Sequence, residues 1–162
     1  MHIAQLNVTT ANYDLDDPRM ADFVGNLDRI NALAEASPGF VWRLKSEGGN
    51  ATGIRASDDP RFIVNMTVWE SMNALFDYVY RSDHRGVMVR RREWFAKPEG
   101  PYQVLWWTPR DSMPTVIDGM ARLRHLSDHG PTPYAFTFKT AFPETNAGPV
   151  DLNPEPFCVG WA

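Results

Sequence analysis

The residues able to make a binding or reactive site gather in two short stretches of the 162-residue chain. From Phe62 to Trp69, alternate side chains of an extended strand point to opposite sides, which puts Asn65, Thr67 and Trp69 on one face with Ile63. An earlier alternating run, His2 to Val8, sets Gln5 and Asn7 beside Ile3 in the same way. Amides and a hydroxyl donate and accept hydrogen bonds and an indole supplies a flat wall, a set that suits a small-molecule pocket better than a dry core. The competing reading is an amide network satisfied inside the sheet. The second stretch, Asp83 to Phe95, reads as a helix with His84, Val87, Met88, Arg91, Trp94 and Phe95 on one stripe. There His84 would serve as base and Arg91 as counter-ion for an anionic substrate, with Asn65 helping to stabilise the anion. The structural alternative pairs Arg91 with an internal carboxylate, Glu70 being one candidate, and gives His84 a backbone carbonyl.

Other chemistry-bearing residues carry less. His125 and His129 are four apart and could hold a metal from one helix face, but they lack a third ligand nearby, so no metal is expected. Cys158 has no histidine neighbour to activate it. There is no glycine-rich phosphate loop and no nucleophile elbow. Of Trp106 and Trp107, alternation sends one to each face, and Trp42 reads as core beside Phe40 and Leu44.

A formal charge of -4 argues against nucleic acid as a partner, because no basic excess drives counterion release. One cysteine forms no internal disulfide, no run approaches a membrane span and no leader pattern is visible, so the cytoplasm is the expected location.

The elements that must position these residues follow in order. After the first strand, Asp16-Asp17-Pro18 starts a helix carrying Met20, Phe23, Leu27, Ile30 and Ala34, which Ser37-Pro38-Gly39 ends. Phe40 to Leu44 is a second strand, and Ser46 to Pro60 reads as a mobile connection. The Phe62 to Trp69 strand is followed by a helix capped by Ser71, the Asp83 to Phe95 helix, and a fourth strand from Tyr102 to Thr108. This β-α-β-β-α-β order predicts an α+β, ferredoxin-like fold. A further helix from Met113 to Leu126 and a strand from Tyr134 to Lys139 complete a domain over residues 1–142. Residues 143–162 form an irregular, proline-containing tail. Phe62, Val64, Met66 and Val68 are expected to carry the helices. The face with Trp69 and one of Trp106 or Trp107 is expected to need a second subunit as its cover.

Several long strings resemble an uncharacterised bacterial family of unknown function, grouped with the dimeric α/β-barrel, antibiotic-biosynthesis-monooxygenase-like proteins. They are A-Q-L-N from Ala4, L-D-R-I-N-A-L-A-E-A-S-P-G-F-V-W-R-L from Leu27, V-N-M-T-V-W-E-S from Val64, R-R-R-E-W-F from Arg90 and H-G-P-T from His129. The resemblance extends to about Pro143. It implies a ferredoxin-like protomer that pairs sheet to sheet as a homodimer. The run T-V-W-E-S from Thr67 is also similar to the staphylococcal haem-degrading monooxygenases, whose asparagine and tryptophan match Asn7 and Trp69. Val89 stands where their haem-ligating histidine is expected, and valine cannot bind iron, so haem is not the expected cofactor and none other is implied.

The leading expectation is a cofactor-free, monooxygenase-like enzyme acting on a small aromatic or enolisable molecule. His84, Arg91 and Asn65 would be catalytic, and Asn7, Gln5, Thr67, Trp69 and Trp94 would bind the substrate. The alternatives are a non-catalytic ligand-binding or sensing protein using the same pocket, and an assembly scaffold with fully packed sheet faces.

Overall fold

The structure is a computed structural model that describes residues 1–46, 49, 51–53, 56–82 and 84–144; the side chains of residues 84–88 lie outside the described set. The expected β-α-β-β-α-β order is present as β1 (His2–Thr10), α1 (Ala21–Ala36), β2 (Phe40–Arg43), β3 (Phe62–Trp69), α2 (Met72–Arg81), α3 (His84–Trp94) and β4 (Gln103–Thr108). A helix α4 (Val116–His129) follows. The strands form one sheet in the order β2-β3-β1-β4, with every neighbouring pair antiparallel. This is the ferredoxin-like arrangement, extended at its C-terminal end.

Local chemistry sets the element ends. Asp17 accepts a hydrogen bond from the Arg19 backbone N–H at 2.9 Å and begins a short 3-10 turn, Pro18–Met20, that leads into α1. Ser71 Oγ accepts from Ala74 N at 3.1 Å and Thr115 Oγ1 from Asp118 N at 3.1 Å, capping α2 and α4. Gly39 follows α1 with φ of +77°, and a Cβ there would lie 2.6 Å from the Cβ of Ala74. Only glycine allows that turn to lie so close to α2.

The sheet separates two cores, and their occupants reverse the sequence expectation. Helices α1, α2 and α3 pack on the face of Ile63, Thr67 and Trp69. One cluster there joins Ile3, Trp69, Leu105, Ala34, Leu75, Tyr78 and Val79, and another joins Ala11, Met20, Ile63 and Trp94. The opposite face, with Ala4, Leu6, Val64, Met66, Val68, Val104 and Trp106, carries α4 through Leu123 and Leu126. Right-handed crossovers send α1 and the α2–α3 pair to one side, and this rule, rather than the mixture of aromatic and polar residues, decides which face they cover. The argument that the Trp69 face needs a second subunit therefore does not hold.

One register detail also differs. A bulge between Phe40 and Trp42 places Phe40 opposite Trp69 and Trp42 opposite Val68, so the two rings lie on different faces and Trp42 joins the α4 side. Trp106 lies under α4, whereas Trp107 shares the Trp69 face and donates its indole N–H to the Phe142 carbonyl at 2.7 Å. The strand expected from Tyr134 to Lys139 is reduced to bridges. Thr132 faces Ala135 across a tight turn, and only Phe136 pairs with β4, through two bonds to Leu105 of 2.8 and 2.9 Å. Parts of the connection 46–60 and all of residues 145–162, including Cys158, lie outside the described residues.

Candidate functional site

The pairing registers arrange the helix-covered face in rows. Phe40, Trp69, Ile3 and Trp107 form the first row, and Arg43, Thr67, Gln5 and Leu105 the second. The third row is Asn65, Asn7 and Gln103, three carboxamides side by side on β3, β1 and β4. Adjacent strands are about 4.8 Å apart, so this row spans about 10 Å.

The second row is closed. Trp69 Nε1 donates to Thr67 Oγ1 at 2.9 Å, and the Thr67 hydroxyl donates to Gln5 Oε1 at 3.4 Å. Gln5 and Thr67 are buried, and Trp69 is 0% exposed between Phe40, edge-on at 5.4 Å, and Tyr78, stacked at 4.9 Å. Gln5, Thr67 and Trp69, expected as ligand contacts, are thus packed into the core and satisfied there. Trp94 is likewise buried, in the cluster with Met20 and Ile63. The rings are consumed by one another because the sheet spacing lets neighbouring helices interleave with them.

The third row is open. Asn65 is exposed, and Asn7 and Gln103 are half-buried, although they lie on the face that the helices cover. The row falls between the Trp69–Tyr78 cluster and the Trp94–Ile63 cluster, so it forms a polar floor flanked by aromatic residues. Three amides offer both donors and acceptors without a charge, a set that orients oxygen atoms of a ligand. Gln103 was not singled out in the sequence; the strand register with Asn7 is the signal that would have found it.

Arg91 lies near the β4 end of this region, half-buried against Tyr102. Both of its terminal nitrogens are 3.4 Å from the Tyr102 hydroxyl, with the guanidinium 4.9 Å over the ring. Glu70 is not its partner. Tyr102 is level with Val8 and Val64, whereas Glu70 follows the far end of β3, roughly 20 Å away. His84 opens α3, seven residues or about 10 Å of helix rise before Arg91, and its side chain lies outside the described residues.

An open groove of about 600 Å³, lined by Ser37, Gly39, Glu70, Asp77, Tyr78 and Arg81 among others, lies away from the amide row. Burial raises the Tyr78 phenol well above its ordinary range, with Arg43 pulling the other way, so this hydroxyl stays protonated at neutral pH. Arg43 was also missed as a candidate: it is buried at the β2 end of the second row and paired with Glu35 at 2.9 Å. His125 and His129 stack with centroids 4.5 Å apart, and His125 Nε2 lies 3.0 Å from Thr132 Oγ1. Among the described residues, no group of three or more His, Cys, Asp or Glu side chains could hold a metal, and no helix is long and apolar enough to cross a membrane.

Comparison with solved structures gives several similar folds. SnoaB, a cofactor-independent oxygenase from Streptomyces nogalater, is 19% identical, with 70% of this chain and 98% of SnoaB covered at a TM-score of 0.49. A Nitrosomonas europaea protein provisionally assigned as an antibiotic biosynthesis monooxygenase is 14% identical over 69% of this chain and 94% of its own, at 0.44. One from Chloroflexus aurantiacus, with the same provisional assignment, is 14% identical over 70% and 98%, at 0.43. No curated protein matches the sequence. Residues 2–151, almost the whole chain, match the family described as Domain of unknown function (DUF3291), and the protein belongs to that family.

Proposed function

We propose that this protein binds a small aromatic or enolisable molecule over the amide row and acts on it as a cofactor-free, monooxygenase-like enzyme. The observation that supports this reading is the open row Asn65–Asn7–Gln103 on a face otherwise closed by helices. Amide N–H groups directed at a ligand oxygen stabilise the negative charge that develops when a neighbouring C–H or O–H proton is removed. His84 is the proposed base, and Arg91, held against Tyr102, supplies positive charge for the anion. The oxygenase part of the proposal rests on the sequence resemblance. The amide row alone equally supports a binding or sensing protein.

Oxygen uptake and calorimetric titration with a panel of phenols and enolisable ketones separate these readings. Turnover that falls at least tenfold in both Asn65→Ala and Asn7→Ala is the outcome expected of the enzyme. Titratable binding that those variants lose, without oxygen uptake, would leave a binding protein. No binding and no uptake across the panel would remove both readings.

A further inference from the structure

We infer that α4 and the segment after it close the second sheet face within a single chain, in the place where a sheet-to-sheet dimer would seat its partner. Ala4, Leu6, Val64, Met66, Val68 and Val104 on that face are each 0% exposed with one chain alone. A stable association buries about 800 Å² on each partner, and the centre of this face has no apolar surface left to offer. Among the described residues, half-buried apolar side chains packed against this cluster include Val8, Val41, Trp42, Leu44 and Phe62 on the strand side and Val116 and Met120 on α4.

Gly119 shows that the fit is built rather than incidental. Gly119 lies in the first turn of α4, and glycine is a poorer helix former than alanine. Here a Cβ would lie 2.5 Å from Leu6 Cδ1 and 3.3 Å from Trp106 Cη2, so the α4 backbone rests directly on the sheet. The chain then turns back at Gly130, whose φ is +74°, and Phe136 pairs with Leu105 on the outer side of β4. Beyond that edge Phe138, Ala141 and Phe142 pack into the Trp69 cluster on the other face. The helix is therefore held at both ends: through the short connection from β4, and through a clasp that wraps the β4 edge and takes the Trp107 indole bond. The clasp also occupies β4 backbone groups that would otherwise invite another strand. The functional consequence is that the amide row on the opposite face is carried by one chain and needs no residue from a second copy.

The test uses the full chain. Sedimentation of the wild-type protein at about 1 to 100 μM should give a monomer throughout, since the face that a dimer would bury is already used. A cysteine pair then reports where α4 sits. In a Cys158→Ser background, Leu6→Cys with Gly119→Cys places two Cβ atoms 3.3 Å apart, close to the roughly 3.5–4.5 Å of a disulfide. Oxidation should give a cross-link within one chain that migrates as a monomer on a non-reducing gel. A covalent dimer would show α4 exchanged between copies, and no cross-link in the folded variant would show it elsewhere; either overturns the inference. A wild-type dimer overturns it as well, and that measurement decides the matter if the cysteine variant does not fold.

Discussion

Two rows of the same sheet face, one step apart along the same strands, hold similar side chains and have different fates. Thr67 and Gln5 form a bonded line with the Trp69 indole and are shut in the core, whereas two residues along each strand Asn65 is exposed and Asn7 half-buried. Residue type does not separate them. What differs is the layer above: Tyr78 and Leu75 of α2 press on the Trp69 end, while Trp94 of α3 packs beyond the amide row, on Ile63. A polar side chain on a helix-covered face is buried where packed rings surround it and stays more exposed between the packed clusters.

Substitutions in the closed row should give the largest effects. Trp69→Ala would empty a space between Phe40 and Tyr78 and also remove a donor, so a loss of about 3–5 kcal/mol in denaturant unfolding is expected. A loss under about 1 kcal/mol would show that this ring is not packed as a core element. Thr67→Val keeps the volume but leaves the Trp69 N–H without its acceptor, at a cost of about 1–3 kcal/mol. Thr67→Ser, which retains the hydroxyl, should recover part of that loss.

How far the sequence revealed this can be judged from the same strands. Alternation placed Gln5, Asn7, Asn65, Thr67 and Trp69 on one face, and Ser71 marked the start of α2, because both signals are local. The identity of the covering layer was not local. Both faces carry large apolar residues, and the choice between them follows from crossover handedness and from α4, which lies more than 40 residues beyond β3. Trp42 was misplaced because one bulged residue reverses all later side chains in a strand. Gln103 was overlooked because its role appears only once β4 is paired with β1 in a definite register. The strand expected at Tyr134 to Lys139 shrank to one bridge with β4, since the chain crosses the β4 edge there to reach the other face.

The open row should respond in the opposite way. Asn65→Ala removes an exposed amide, so unfolding free energy should change by no more than about 0.5 kcal/mol. If ligand binding falls while stability holds, the contrast between the rows is sharpened. A loss in stability like that of Thr67→Val would show that the third row is a structural network too, and the contrast would fail.

The smallest effect expected concerns the charge at the end of the closed row. Arg43 is buried beside Thr67, and its Nε donates to Glu35 Oε1 at 2.9 Å; Lys45 Nζ meets the same oxygen at 2.8 Å. Lys45 and Arg43 hold the Glu35 carboxyl below its ordinary value of 4.5. A carboxyl lowered in the folded state binds fewer protons there than in the unfolded chain. Its contribution is therefore complete above 4.5 and is lost as pH falls through the lower folded-state value. Denaturant midpoints measured from about pH 6 to about pH 3 should decline less steeply for Glu35→Gln than for the wild type. Asp17, Asp59 and Glu93 are also lowered by neighbouring arginines, but they are common to both proteins and cancel in the difference. Identical slopes would mean that the rim carboxylate does not sense the fold, leaving the buried Arg43 to be held by the closed row itself.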